Sequence, residues 1–160
     1  MAEDTRLLGV ILVTDPPAPH SAEAIAGLQR LGLHVIMLSG DKRATAEAVA
    51  RQVGIAQVLA EVHPAHKQQA VQDLQRAGRV VAMVGDGIND APALVSADLG
   101  IAIGTGADVA IESADIVLVQ QDLRKLLEAI QLSRATLRTI RQNLAWAFAY
   151  NVTLLPLAAG

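Results

Sequence analysis

The chain has 160 residues; 52% are hydrophobic, one each is Phe, Tyr and Trp, and none is Cys. That length supports one well-packed domain with little left over for a second, and the missing cysteine excludes disulfides and thiolate chemistry within the chain. A formal net charge of −3 with no polybasic run gives no electrostatic footing for nucleic acid, and the start MAEDTRLLGV lacks the basic and apolar regions of a secretory leader.

Leu7 to Thr14, LLGVILVT, is a nearly continuous apolar run stopped by Asp15-Pro16-Pro17, and it predicts a buried first strand. Ser21 to Leu31 carries Ala22, Ile25, Leu28 and Leu31 on one helical stripe, with Gly32 as the stop. A second strand is predicted at His34 to Leu38, ending at Ser39-Gly40-Asp41. The alanine-rich stretch Arg43 to Val53 follows as a helix that Asp41 is placed to cap and Gly54 to end. The alternation continues with a short run near Val58-Leu59, a helix from about Ala65 to Ala77, and the strand Arg79 to Val84. Leu99 to Ile103 and Ile116 to Val119 add two further strands, with Asp108 to Ser113 as a brief helix between them. No internal repeat is evident. Strand and helix alternating with fully apolar strands predict an α/β, doubly wound parallel sheet, whose ligands sit beyond the carboxyl ends of the strands.

Beyond Asp122 the texture changes. Leu123 to Leu144 is one long helical pattern carrying Arg124, Lys125, Arg134, Arg138 and Arg141, and it leads into NLAWAFAYNVTLLPLAAG, residues 143–160, which holds no charge. A buried terminal helix is one reading of that tail. The start of a transmembrane helix is the other, favoured by the arginines on its flank and by Trp146 at the entry. The chain is accordingly divided at residues 1–122 and 123–160.

The chemistry concentrates at strand ends. In VGDGINDAPAL, Asp86 lies just past an apolar strand between Gly85 and Gly87, where a carboxylate can bind a hard divalent cation and glycines let the backbone turn close to a phosphate. Asn89 and Asp90 open the following helix. Ser39 and Gly40 offer a hydroxyl and an unhindered amide for phosphate oxygens, and Lys67, near the start of a helix, can neutralise phosphoryl charge. Taken singly, each has a plain structural reading: a common turn, a helix-entry serine, a solvated surface lysine.

Ser39-Gly40-Asp41, Lys67 and Gly85-Asp86-Gly87-Ile88-Asn89-Asp90-Ala91-Pro92, together and in this order, resemble the last three motifs of the haloacid dehalogenase superfamily in the form used by P-type cation ATPases. The resemblance extends through residues 97–104, 115–118 and 132–134. It implies a Rossmannoid haloacid dehalogenase-like fold, partial phosphorylation domain first and truncated membrane segment last. By position it also implies roles: Asp86 binding Mg²⁺ with Asp90 in support, Gly85 and Gly87 shaping that corner, Ser39, Gly40 and Asp41 holding the phosphoryl group, Lys67 neutralising it and Asn89 hydrogen-bonding to it. Asn143-Leu144-Ala145-Trp146-Ala147 with Tyr150-Asn151 is similar to the heavy-metal pumps that carry Cu(I), which makes Tyr150 and Asn151 candidate ion ligands. The implied whole is a cell-membrane pump using ATP, with residues 1–122 on the cytoplasmic side, residues 143–160 entering the bilayer, and the nucleotide-binding and actuator domains and other membrane helices as partners.

Departures from the family pattern set further expectations. No DKTGT nucleophile motif, intervening nucleotide-binding domain or CPC metal motif occurs in the 160 residues. The chain therefore reads as a fragment, inactive alone and weak in Mg²⁺ binding. Ser39 stands where threonine is usual, Lys42 where asparagine is common, and Ala18 and Pro19 where a nucleotide-contacting basic residue is often found. Two alternatives remain at this stage: a capless phosphatase using Asp15 as its nucleophile, and a non-catalytic partner that modulates a pump.

Overall fold

Apolar runs of three to five residues, each followed by a turn, pair side by side and parallel. The computed structural model describes residues 2–3, 6–7, 17–85, 88–104, 112–120 and 122–158. In chain order these form β1 (Ala2–Glu3), β2 (Arg6–Leu7), α1 (Ser21–Arg30), β3 (Ile36–Leu38), α2 (Arg43–Val53), β4 (Gln57–Leu59) and α3 (Pro64–Arg76). There follow β5 (Ala82–Gly85), a 3-10 turn (Ile88–Asp90), α4 (Ala91–Ser96), β6 (Leu99–Ile103), β7 (Ile116–Leu118) and α5 (Arg124–Ala158). β1 and β2 pair antiparallel, whereas β3 with β4, and β5 with β6 and β7, are parallel. The α/β reading holds as parallel sheets with helices. Among the described residues the parallel strands form two groups, β3-β4 and β5-β6-β7. The predicted first strand, beyond Leu7, lies outside the described residues, as does the expected helix at 108–113 up to residue 111.

Helix boundaries follow local chemistry with one correction. Gly54 closes α2 at φ 80°, the left-handed cap glycine accepts most readily, and Pro64 opens α3 at a position that needs no amide donor. Asp41 does not cap α2. The N-cap is Lys42, with no side-chain hydrogen bond, because the Asp41 carboxylate accepts instead from the Ser39 hydroxyl at 3.0 Å.

The core forms where α1 and α5 cover the β5-β6-β7 group. Leu28, Ile101 and Leu126 are buried at its centre, with Val84, Leu99, Ile116, Leu118, Leu127 and Ile130 packed around them. Each of the three buried side chains contributes roughly 1.5–3 kcal/mol on removal from water. Gly27 lets α1 approach α5: a Cβ there would run into the Leu127 side chain. Arg134 then donates to the Leu31 carbonyl at 2.8 Å, placing a cation against the C-terminal end of α1.

The structure also reveals a short repeat that the sequence reading passes over. Ser96-Ala97-Asp98 precedes β6 and Ser113-Ala114-Asp115 precedes β7. Each aspartate staples its strand to the neighbour's start in both directions. Asp98 accepts from the Val81 amide at 2.8 Å and donates its own amide to the Val81 carbonyl at 2.9 Å. Asp115 does the same with Gly100, at 2.7 and 2.9 Å. The Val81 amide, with Gln75, holds the Asp98 carboxyl below the usual carboxylate range.

α5 runs unbroken from Arg124 to Ala158. No helix among the described residues is long and apolar enough to cross a membrane. Residues 143–158 of α5 carry no charged side chain. Asp122 starts this helix by accepting from the Arg124 amide at 2.9 Å and by a fork to the Arg124 guanidinium at 2.8 and 3.1 Å. The Arg124 side chain, foremost, holds the Asp122 carboxyl down at about 2.

Two outcomes follow from this packing. A Cβ at Gly100 would lie 2.7 Å from the Leu94 carbonyl oxygen, so Gly100→Ala is expected to lower the urea-unfolding free energy by about 2 kcal/mol. The Asp122 contribution is present in full above the unfolded carboxyl value of about 3.9 and is lost as pH falls toward the folded value. Urea midpoints between about pH 4 and pH 2 should therefore fall less steeply in Asp122→Asn than in the parent chain; identical slopes would refute the assignment.

Candidate functional site

At the carboxyl ends of β3 and β5 the chain must reverse, and the residues that make those reversals are the ones the sequence singles out. After β5 the backbone passes Gly85, and the 3-10 turn brings Asp90 back over it. A Cβ on Gly85 would lie 2.7 Å from Asp90 Cβ and 2.8 Å from its Oδ2, so only glycine admits the carboxylate. Asp90 occupies the N-cap of α4 yet makes no side-chain cap. Its Oδ1 accepts from Lys67 Nζ at 2.6 Å, in a pair whose side chains are 17% and 11% exposed for Lys67 and Asp90 respectively. Lys67 is therefore no solvated surface lysine. It stands one turn into α3, and the pair joins α3 to the turn after β5.

The Ser39 corner is stapled to the same helix from the other side. Ser39 accepts from the Val62 amide at 3.0 Å and Asp41 from the Glu61 amide at 2.9 Å, through their carbonyls. The segment that leads into α3 thus hangs on the loop after β3. Ser39 Oγ donates to Asp41 Oδ2 and accepts from the Asp41 amide at 3.1 Å, which closes the loop on itself. Gly40 is different in kind from Gly85. Its φ is not positive, and an added Cβ would meet only the Val62 carbonyl at an ordinary 3.5 Å. Neither backbone conformation nor packing demands glycine at Gly40, which leaves access to its amide as the physical use for it.

Asn89 is exposed in the turn. Asp15, Asp86 and Gly87 lie outside the described residues. Among the described residues no group of three or more His, Cys, Asp or Glu could hold a metal ion. Tyr150 and Asn151 are exposed on α5, far along the helix from this corner. Sequence reasoning missed Glu61, whose φ of 59° makes the turn that offers its amide to Asp41. No local signal advertises a left-handed glutamate.

The chemical capacity of this arrangement is to present one hydroxyl and one exposed amide at the end of β3, and one lysine ammonium at the turn after β5. Those are anion-stabilising groups. The profile of haloacid dehalogenase-like hydrolases matches residues 1–98. Copper-transporting ATPase 1 of Rhizobium meliloti (strain 1021) is 58% identical over 159 residues, covering 99% of this chain and 19% of the relative. A probable copper-transporting ATPase, PacS, of Synechococcus elongatus is 58% identical over 160 residues, covering 100% of this chain and 21% of the relative. The crystal structure of a zinc-transporting PIB-type ATPase in its E2.Pi state superposes with a TM-score of 0.89 at 40% identity, covering 98% of this chain and 26% of that one. The chain thus spans about a fifth of the length of the curated relatives it matches.

Because Gly85 exists to admit Asp90, and Asp90 to hold Lys67, the three should behave as one unit. In urea denaturation, Lys67→Met and Asp90→Asn are expected to show a coupling of about 1–2 kcal/mol in a double-mutant cycle. Gly85→Ala should lower stability by about 2 kcal/mol. Simple additivity of the lysine and aspartate changes would remove the pair from any organising role.

Proposed function

The chain belongs to the haloacid dehalogenase-like hydrolases, and from that premise we propose that it supplies the phosphoryl-stabilising and Mg²⁺-binding part of the phosphorylation site of a heavy-metal P-type ATPase that transports Cu(I). The carrying observation is the Lys67 ammonium, mostly buried and fixed at 2.6 Å on Asp90 beside the turn after β5. A lysine held there has no solvent-exposed role to play, and its remaining donors are available to an anion at the strand ends.

In this reading the attacking carboxylate is an aspartate of a DKTGT segment, a sequence that none of the 160 residues provides. It attacks the γ-phosphorus of ATP, the bond to the ADP oxygen breaks, and an acyl phosphate forms. Ser39 turns its hydroxyl from Asp41 to a phosphoryl oxygen, the Gly40 amide donates to another, Asn89 hydrogen-bonds to the group and Lys67 offsets its charge. Such transfers draw on positioning and electrostatics more than on covalent chemistry from the protein. Asp86 and Asp90 are the carboxylates that would hold Mg²⁺, an oxygen-only pair that suits a hard cation; Asp90 Oδ1 is already held by Lys67. When bound, the ion supplies further positive charge at the phosphoryl oxygens.

Copper is a cargo in this reading. Cu(I) prefers sulfur, and a phenol and an amide alone are poor partners for it. With no cysteine in the chain, Tyr150 and Asn151 can form only part of a transport site. Residues 1–122 are assigned to the cytoplasmic side, residues 143–160 to the bilayer, and the remaining domains and membrane helices of a pump are the partners.

A chimera tests the assignment. Residues 1–160 are placed in a copper-transporting relative instead of its matching segment, and phosphoenzyme formed from ATP is measured. Formation is expected, falling roughly 100-fold in Lys67→Ala. A silent chimera, together with Asp15-dependent hydrolysis of p-nitrophenyl phosphate by the chain alone, would make it a capless phosphatase instead.

A further inference from the structure

The exposed face of α5 beyond the domain carries positive charge with no acidic partner among the described residues. From residue 129 to residue 160 the sequence has three cations, Arg134, Arg138 and Arg141, and no Asp or Glu. Arg134 is held by the Leu31 carbonyl. Arg138 and Arg141 are exposed and have no hydrogen-bond or ion-pair partner among the described residues. Three residues apart, they share one helix face and line one shallow depression with Leu137, Gln142 and Ala145.

Immediately above them the helix loses all charge. Trp146, 71% exposed, and Tyr150, 66% exposed, stand about 7 and 13 Å further along the axis than Arg141. Guanidinium groups, then amphipathic aromatic rings, then apolar side chains follow the polarity gradient from lipid phosphate to acyl chain.

We infer that Arg138 and Arg141 form a docking site for the headgroups of anionic phospholipids, fixing the depth at which α5 meets the membrane. The inference rests on the proposed entry of residues 143–160 into the bilayer and adds to it a lipid class and two named contacts. A guanidinium pairs with a phosphate in a forked geometry, and an unanswered pair of arginines gains from a surface that also carries net negative charge.

The experiment is flotation of the full chain with vesicles of phosphatidylcholine alone and with vesicles in which about a third of the lipid is phosphatidylglycerol. Partitioning is expected to be about 10- to 30-fold stronger on the anionic vesicles. Arg138→Gln with Arg141→Gln should erase that preference while leaving binding to phosphatidylcholine intact, and Arg51→Gln on α2 should leave the preference unchanged. Equal binding of the parent chain to both vesicles would overturn the inference and leave the membrane reading standing. An equal loss in Arg51→Gln would reduce the effect to net charge and overturn the site. Binding to neither vesicle would remove the membrane reading, and this inference with it.

Discussion

A lysine ammonium and an aspartate carboxylate meet at 2.6 Å above a glycine that has no room for a Cβ. Most of the candidate site depends on that contact. Removing either partner would leave the other charged in a place where water reaches it poorly, so the pair is costly to break even where its net contribution to stability is modest. In the proposed pump it would also solve a functional difficulty. A bare lysine waiting at a phosphoryl site would drift toward solvent or bind the wrong anion, whereas one held by a carboxylate stays in place with donors to spare. The same contact locks α3 to the turn after β5, so the corner built by β3 and the corner built by β5 cannot move apart without breaking it.

The group of strands that carries the Asp90 corner is held by a second device at its opposite end. Asp98 and Asp115 each exchange two hydrogen bonds with the start of the neighbouring strand, and the carboxylate contributes a charge-assisted one. With register fixed at the amino ends, the carboxyl ends of β5 and β6 are placed by strand length alone. The approach of α1 to α5 at Gly27 and the Arg134 bond to Leu31 clamp the long helix to α1. The site is therefore a consequence of backbone stapling, and its side chains inherit their positions from it.

How much of this was legible in the sequence depended on how local the physics is. Gly54 and Pro64 acted as the left-handed stop and the amide-free start that their chemistry predicts, and the apolar runs after Leu33 place the described parallel strands within two or three residues. Asp41 was misread because two groups compete for its carboxylate: a helix amide and the Ser39 hydroxyl two residues away. The hydroxyl wins, a preference invisible to position alone. Gly85 lies tight against Asp90, five residues on and folded back, a contact that no local pattern announces. Lys67 with Asp90 is a partnership across 23 residues, which no periodicity encodes. The Ser-Ala-Asp repeat was in plain view, yet its meaning requires knowing that β6 lies between β5 and β7.

The unbroken course of α5 bears on how the two ends of the molecule communicate. Between Arg124 and Tyr150 the helix has neither glycine nor proline, the usual causes of a hinge. That span rises about 39 Å. Its base is fixed by Asp122 capping the first turn, by Leu126 and Leu127 in the core and by Arg134 on α1, so it is anchored over more than two turns before it leaves the domain. A rod so anchored converts a rotation of the domain into a displacement at its far end: a tilt of about 5° would move Tyr150 by about 3 Å, given that rise. In the proposed pump, this is enough to change what Tyr150 and Asn151 touch. The chain would then couple phosphoryl chemistry to the membrane through the stiffness of one helix.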